Sequence, residues 1–229
     1  MNKWEQFKKL AQEFHVPIPE TWIVFEVFDK EGELIQKHRQ RGRSWTRNAY
    51  NMLFSELAAV NANDNTFAAG KLSIRNTAGT VRYGTHAIGQ QISPSMQGGG
   101  YGYHAAAGIV NRGIVVGSGT NAESFEDYRL QTPIANGTGA GQLSYVASEA
   151  YTYSYNAGTK VLTATHIRYM NNNSSGTIAV NEVGLIVNAV VAAAAVYWCN
   201  SRDHLSSTVT VPDTGQLKVT YEISLTYPS

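Results

Sequence analysis

The chain has 229 residues, with 18 Lys and Arg against 17 Asp and Glu, and charged residues make up only 15% of it. Soluble domains are roughly one quarter charged. The 43% of hydrophobic residues excludes a disordered chain, and the missing cationic surplus argues against nucleic-acid binding as the main activity. The single cysteine, Cys199, excludes an internal disulfide.

The first 65 residues carry nearly all of the predicted helix. Residues 3–15 have apolar side chains at helical spacing, which predicts a short amphipathic helix. Residues 21–28 and the run from Leu34 flank a turn at residues 29–32 and predict a hairpin. Ser44 is the predicted N-cap of a second helix, on which one face collects Trp45, Ala49, Met52, Leu53 and Leu57. We interpret residues 1–65 as a helix-containing N-terminal arm used for docking.

From Lys71 onward the sequence changes to short strand-like runs separated by Gly, Asn, Ser and Thr. Residues 151–155 and 160–170 flank a turn and predict a hairpin, and residues 216–226 alternate strictly between apolar and polar. Many short strands with polar turns are typical of an antiparallel β-sandwich, either jelly-roll or immunoglobulin-like. We therefore expect a mainly β protein whose sandwich spans residues 66–229.

The ends and the apolar runs set expectations about location. Residues 1–9 lack the apolar region of a signal peptide, so we expect a chain made in a cytoplasm. The longest apolar stretch, residues 189–199, is much shorter than the roughly 20 residues of a membrane helix, so no membrane span is expected.

Candidate catalytic or cofactor motifs are weak. Gly117-Ser118-Gly119 follows a strand-like run, but no Walker lysine or helix pattern follows, which favours a turn between strands over a nucleotide loop. The histidines are scattered without zinc spacing, so we predict no metal and no cofactor. Glu149 and Glu182 stay open as a carboxylate pair of a glycan hydrolase, although we expect no enzymatic activity.

Cations alternate with other residues from Lys37 to Arg43. On an extended strand, these cationic side chains would point to one side. We expect them to contact an acidic partner surface, and packaged nucleic acid is the less favoured partner. The alternative is a solvated strand face that discourages edge aggregation. The predicted interface consists of Lys37, Arg39, Arg41, Arg43, Trp45 and Arg47.

Tyrosines provide a second candidate surface. Tyr101 and Tyr103 lie in a glycine-rich loop, and Tyr151, Tyr153 and Tyr155 alternate along a predicted strand. Aromatic rings could stack on glycans, whereas alternating tyrosines on a strand are more often a core or subunit interface.

Five stretches carry a family resemblance: residues 114–120 (IVVGSGT), 126–130 (EDYRL), 181–185 (NEVGL), 201–205 (SRDHL) and 217–223 (LKVTYEI). Their order resembles virion structural proteins of tailed bacteriophages over residues 108–228, and residues 43–48 (RSWTRN) are similar to the start of such proteins. The resemblance implies a particle subunit without a cofactor, at the tail, baseplate, neck or capsid surface.

Among these matched residues, Glu182 lies between apolar neighbours. An ionised carboxylate there needs donors, so we predict a fold-specifying buried acid paired with Arg168 or Arg202. Gly184 is expected to mark a bulge or a close backbone approach.

Charge is distributed unevenly, because residues 131–200 carry only four charged side chains. Such a surface suits contacts between subunits better than a free monomer. We expect a non-enzymatic homo-oligomer, made in the host cytoplasm and located in the virion with other phage structural proteins. The tail or baseplate is the first choice; a capsid decoration, a head or neck fibre, and a module that binds host glycans through Tyr101 and Tyr103 are alternatives.

Overall fold

The described part of the protein contains two large antiparallel β-sheets, a third sheet of only two short strands, and two helices. The computed structural model describes residues 3–14, 16, 18–60, 64–84, 86–87, 102–191 and 194–227. The elements are α1 (Lys3–Glu13), β1 (Pro19–Phe28), β2 (Leu34–Gly42), α2 (Arg47–Ala58), β3 (Ile74–Arg75), β4 (Val81–Arg82), β5 (His86–Ala87), β6 (Gly113–Gly117), β7 (Ser144–Tyr145), β8 (Thr152–Asn156), β9 (Val161–Asn171), β10 (Ile178–Val191), β11 (Ala194–Val211) and β12 (Gln216–Thr226).

The first sheet has the strand order β2-β1-β12-β9-β7, with β8 paired to β9. The second has the order β11-β10-β5, with β6 also paired to β10. Their inner faces share one hydrophobic core, to which β1 contributes Phe25, β12 contributes Val219 and β10 contributes Leu185. The protein is therefore mainly β and consistent with a β-sandwich, which confirms the predicted fold class.

The predicted hairpin formed by residues 21–28 and the run from Leu34 lies within this sandwich. β1 pairs with β2 on one side and with β12 on the other, from Pro19 opposite Leu225 to Phe28 opposite Gln216. The inward side chains of β1, including Phe25, are fully buried in the core that both sheets share. Strand β1 of the predicted N-terminal arm thus shares one core with strands of the predicted sandwich, whereas α1 and α2 lie outside the sheets.

β2 is the edge strand of the first sheet, and the side-chain amides of two of its residues join it to the second sheet. The amides of Gln36 and Gln40 lie at hydrogen-bonding distance from backbone groups of β11, at 2.9–3.1 Å: Gln36 at Thr208 and Thr210, Gln40 at His204 and Ser206. A glutamine amide offers one donor group and one acceptor, like a peptide unit, so each mimics a strand pairing. The polar residues on the inward side of β2 therefore join the two sheets.

The second helix begins later than the sequence predicts, so Ser44 as its N-cap is wrong. Trp45 makes an isolated β-bridge with Ser201 of β11, which keeps this segment extended. Thr46 occupies the N-cap position, but its hydroxyl donates to the carbonyl of Cys199 at 2.7 Å instead of capping the helix. Neither α1 nor α2, the helices of the described ranges, has the length and apolarity needed to cross a membrane.

Candidate interaction surfaces and the buried ion network

A buried ion network connects strands β10 and β11 of the second sheet to a long loop. Glu182 of β10 is fully buried, and Arg202 of β11 donates to it from Nε at 2.7 Å. The same guanidinium donates to Asp127 at 2.8 Å. Burial lowers the pKa of Arg202, but its hydrogen bonds to Asp127 and Glu182 outweigh that effect and raise the pKa above its ordinary value. Of the two arginines predicted as partners of Glu182, Arg202 is therefore the one that binds it.

The loop after β6 wraps around this network. The backbone N–H groups of Gly119, Gln131 and Thr132 donate to the Glu182 carboxylate at 3.3, 2.9 and 2.7 Å. Arg202 in turn donates to the carbonyls of residues 121 and 122. Four of the five stretches that carry the family resemblance contribute to this region, since Gly119, Asp127, Glu182 and Arg202 come one from each.

Glycines give this carboxylate its space. A Cβ added to Gly117 or Gly119 would lie 2.4 or 2.6 Å from an oxygen of Glu182, which is closer than real Cβ atoms approach. A Cβ on Gly184 would lie 2.3 Å from Cδ1 of Leu130, whose side chain packs directly on that strand. The glycines of the 114–120 and 181–185 stretches thus serve close contact inside the protein.

Arg168 of β9, the other predicted partner for Glu182, is buried elsewhere. Its guanidinium donates to backbone carbonyls at distances of 2.5–3.3 Å, and these belong to Ala106, Ile109, Arg112, Ile114 and Val146. Burial lowers the pKa of Arg168 to about 10. Arg168 therefore fastens the chain before β6 to the first sheet.

The cations of the predicted basic strand lie beside acids of neighbouring strands. Lys37, Arg39 and Arg41 share the outer face of β2, and their partners at 2.8–3.9 Å are Glu26, Glu222 and Glu20 respectively. The hydrogen bonds from Lys37 and Lys218 keep the pKa of Glu26 below its usual range. Arg39 also lies 3.7 Å from the ring centre of Trp22. The outer face of the first sheet is thus a mixed-charge surface.

The other three residues of the predicted interface point to a different part of the protein. Arg43 lies beyond the end of β2 and pairs with Glu123 at 2.8 Å. Arg47 donates to Glu126 at 2.8 Å. Trp45 is partly buried and packs against the main core. The structure therefore divides the six predicted residues between the first-sheet face and the base of α2.

One of the two predicted glycan-binding tyrosines lies within the described residues. Tyr101 lies outside the described residues. Tyr103 packs against the core, and its hydroxyl accepts a hydrogen bond from Asn200 at 2.5 Å. Burial raises the pKa of Tyr103 to about 12. Of the alternating tyrosines on β8, Tyr153 is 75% exposed and Tyr155 is 52% exposed.

Both helices expose large apolar side chains. On α1, Phe7 and Leu10 are about half exposed, and Phe14, directly after the helix, is 69% exposed. On α2, the exposed residues are Tyr50, Leu53, Phe54 and Leu57, whereas Asn48, Ala49, Asn51 and Ser55 are buried. The second helix therefore presents an apolar side outward and a largely polar side to the sheet.

Acid is expected to weaken the fold through His166. Burial between Tyr103 and Tyr151 lowers the pKa of His166 to about 4, so the folded protein holds it neutral at pH values where an unfolded histidine is protonated. The free energy of unfolding should fall as pH drops from about 6.5 towards 4, by about 2 kcal/mol after allowance for partial exposure. Urea titrations of wild type and His166→Phe at pH 7 and 4.5 measure this difference, and equal losses in both proteins would contradict it.

The described residues offer neither a cluster of metal ligands nor an accessible thiol. Across the residues that the structure describes, no three His, Cys, Asp or Glu side chains form a group that could hold a metal ion. Cys199 is fully buried, and burial raises the pKa of its thiol. Comparison with known proteins adds no relative, since no family model, no curated protein and no solved structure matches the chain.

Proposed function

We propose that this chain is a non-enzymatic structural subunit of a tailed-phage virion, which assembles with itself and with neighbouring subunits at the tail or baseplate. The observation that carries the proposal is the exposure of apolar side chains on both helices of a chain in which only 15% of residues are charged. Exposed apolar patches of this kind are typical of contact sites between proteins.

The state of Glu182 supports a structural role over a hydrolytic one. A general acid or nucleophile must reach the substrate with a free carboxylate oxygen. Glu182 is fully buried, and both of its oxygens accept hydrogen bonds, from Arg202 and from backbone N–H groups. Its bonds hold the β6 loop against β10 and β11.

The virion setting is supported by the sequence resemblance. Four of the matched stretches meet at one buried network, and such a network specifies a fold rather than a reaction. The same subunit could be built into a capsid decoration or a neck fibre, because those sites require the same self-association. The tail or baseplate remains our first choice.

The location of the chain in the particle tests this function. Virions of the encoding phage, purified on a density gradient, should contain the chain in a fixed number of copies. Cryo-electron microscopy should show it as symmetric density at a joint of the tail or baseplate. Absence of the chain from purified particles would overturn the proposal.

A further inference from the structure

The outward side of α2 points to a specific pairing. We propose that two copies of this chain associate through it across a twofold axis, an inference that rests on the proposed function and names the surface used for self-assembly. We call this surface the α2 stripe; it consists of Tyr50, Leu53, Phe54, Leu57 and the neighbouring Phe125.

The orientation of the helix is fixed by its polar side. Asn48 donates to the carbonyl of Arg75 at 2.9 Å and accepts from the N–H of the same residue at 2.9 Å. Asn51 donates to the carbonyls of Lys71 and Ser73 at 3.0 and 2.8 Å. Turning the apolar side inward would break these bonds and leave buried backbone groups without partners, at a cost that favours the observed orientation.

The residues of the α2 stripe have the spacing of a helix face that packs against another surface. Positions 50, 53, 54 and 57 stand at i, i+3, i+4 and i+7, which is the pattern by which a helix packs against another surface. Phe125 extends the stripe beyond the helix, with its ring centre 5.7 Å from that of Tyr50. All five side chains are between 46% and 79% exposed.

The exposed area reaches the lower limit for a specific interface between two copies. At about 200 Å² for each fully exposed large side chain, the stripe offers roughly 550 Å². Two copies facing each other would bury about 1,100 Å², which exceeds the roughly 1,000 Å² expected of a specific interface, before any contribution from the rim.

Charge favours a second copy as the occupant. The stripe contains no Asp, Glu, Lys or Arg, and Arg47 at its border is already paired with Glu126. The full chain has a net charge of only +1, so two copies approach without strong repulsion. An uncharged stripe can meet itself across a twofold axis, where every residue opposes the same surface.

Sedimentation equilibrium of the full chain tests the pairing. Wild type should shift from 25.0 kDa towards twice that mass with rising concentration. A variant with Leu53→Lys and Leu57→Lys should associate at least about tenfold more weakly, because each copy then brings two charges into an apolar contact. Lysine is a good helix former, and both positions are exposed in the monomer, so the melting temperature of the variant monomer should match wild type.

A matched control comes from the start of β2. Leu34 and Ile35 are exposed to the same extent as Leu53, at 49% and 51%, and the length of β2 separates them from the helix. The variant with Leu34→Lys and Ile35→Lys should therefore pair like wild type. Equal loss of association in both double variants would overturn the assignment of the interface.

Disulfide trapping locates the axis. Residue 53 lies midway along the stripe, so Leu53→Cys should give a covalent dimer on oxidation with copper phenanthroline, and Leu34→Cys should not. The buried Cys199 does not compete for the reagent. Equal trapping of the two cysteine variants would contradict the pairing. A lower melting temperature for the monomer of the Leu53→Lys, Leu57→Lys variant would also contradict it, because that result would mean that a segment of the same chain covers the stripe.

The outcomes separate this inference from the proposed function. A chain found in virions but monomeric at about 100 μM would overturn the α2 pairing alone. A chain that pairs through α2 but is absent from virions would overturn the virion function and leave the pairing intact.

Discussion

Replacing Arg202 by Met should lower the free energy of unfolding by about 3–5 kcal/mol, because it leaves two acids without their cation. Glu182 is fully buried, and its remaining partners are backbone N–H groups, which do not neutralise its charge. Asp127 loses the same guanidinium. Urea unfolding at pH 7, followed by tryptophan fluorescence, measures the loss.

Arg39→Met is the matched control for this change. Its guanidinium lies 3.9 Å from Glu222 on the outer face of the first sheet, and both side chains are more than 40% exposed. Breaking an exposed pair and its contact with Trp22 should cost about 1 kcal/mol. A loss of that size in Arg202→Met would mean that the buried carboxylates do not depend on Arg202.

A second substitution separates two effects of Arg202→Met on stability: the unneutralised charge of Glu182 and the loss of side-chain contacts. Glu182→Gln keeps the size of the side chain and removes its charge, so adding it to Arg202→Met should cost less than the sum of the two single changes. Strict additivity would indicate that the two residues stabilise the protein independently, against the bonds that the structure shows between them.

Local patterns predicted the strands well because strand periodicity is a property of neighbouring residues. β12 spans residues 216–226 as expected, with Leu217, Val219 and Tyr221 buried, and the β8–β9 hairpin has its turn at the predicted place. The place of β1 could not be predicted in this way. Its pairing with β12 joins opposite ends of the chain, and nothing near residues 19–28 indicates that partner.

Helix α2 shows the limit of periodicity more sharply. The sequence groups Ala49 and Met52 with Leu53 and Leu57, yet the first two lie inward and the last two outward. Periodicity identifies the two sides of a helix but not which side meets the sheet. Here the decision rests on Asn48 and the other inward polar groups, whose partners are backbone atoms that the sequence does not reveal.

The partners of the residues in the candidate sites could not be predicted either, because they depend on which strands pair and in which register. The sequence identified Glu182 as a buried acid and left two arginines as partners, since either β9 or β11 could have been its neighbour. β10 pairs with β11 and places Gly184 opposite Arg202, so that the guanidinium reaches Glu182. The acids beside Lys37, Arg39 and Arg41 went unpredicted because they lie on β1 and β12.

Arg168→Met should also cost about 3–5 kcal/mol, but for a different reason. The Arg168 guanidinium has carbonyl partners from residues 106–114 and from Val146, and a thioether cannot donate to any of them. Removing the buried charge recovers part of the desolvation cost that lowers the pKa of Arg168 to about 10. The loss of these bonds outweighs that gain, because several buried carbonyls lose their donor at once.

Hydrogen exchange distinguishes the two buried arginines, and each variant is the control for the other. In Arg168→Met, exchange should accelerate at Ala105 and Gly108, whose N–H groups are bonded to Ser148 and Tyr145. In Arg202→Met, it should accelerate at residues 118–132 instead. Arg168→Lys should fall between wild type and Arg168→Met, since an ammonium has fewer donors and no planar fork to span several carbonyls. A uniform acceleration in both variants would show that neither arginine fastens its own loop.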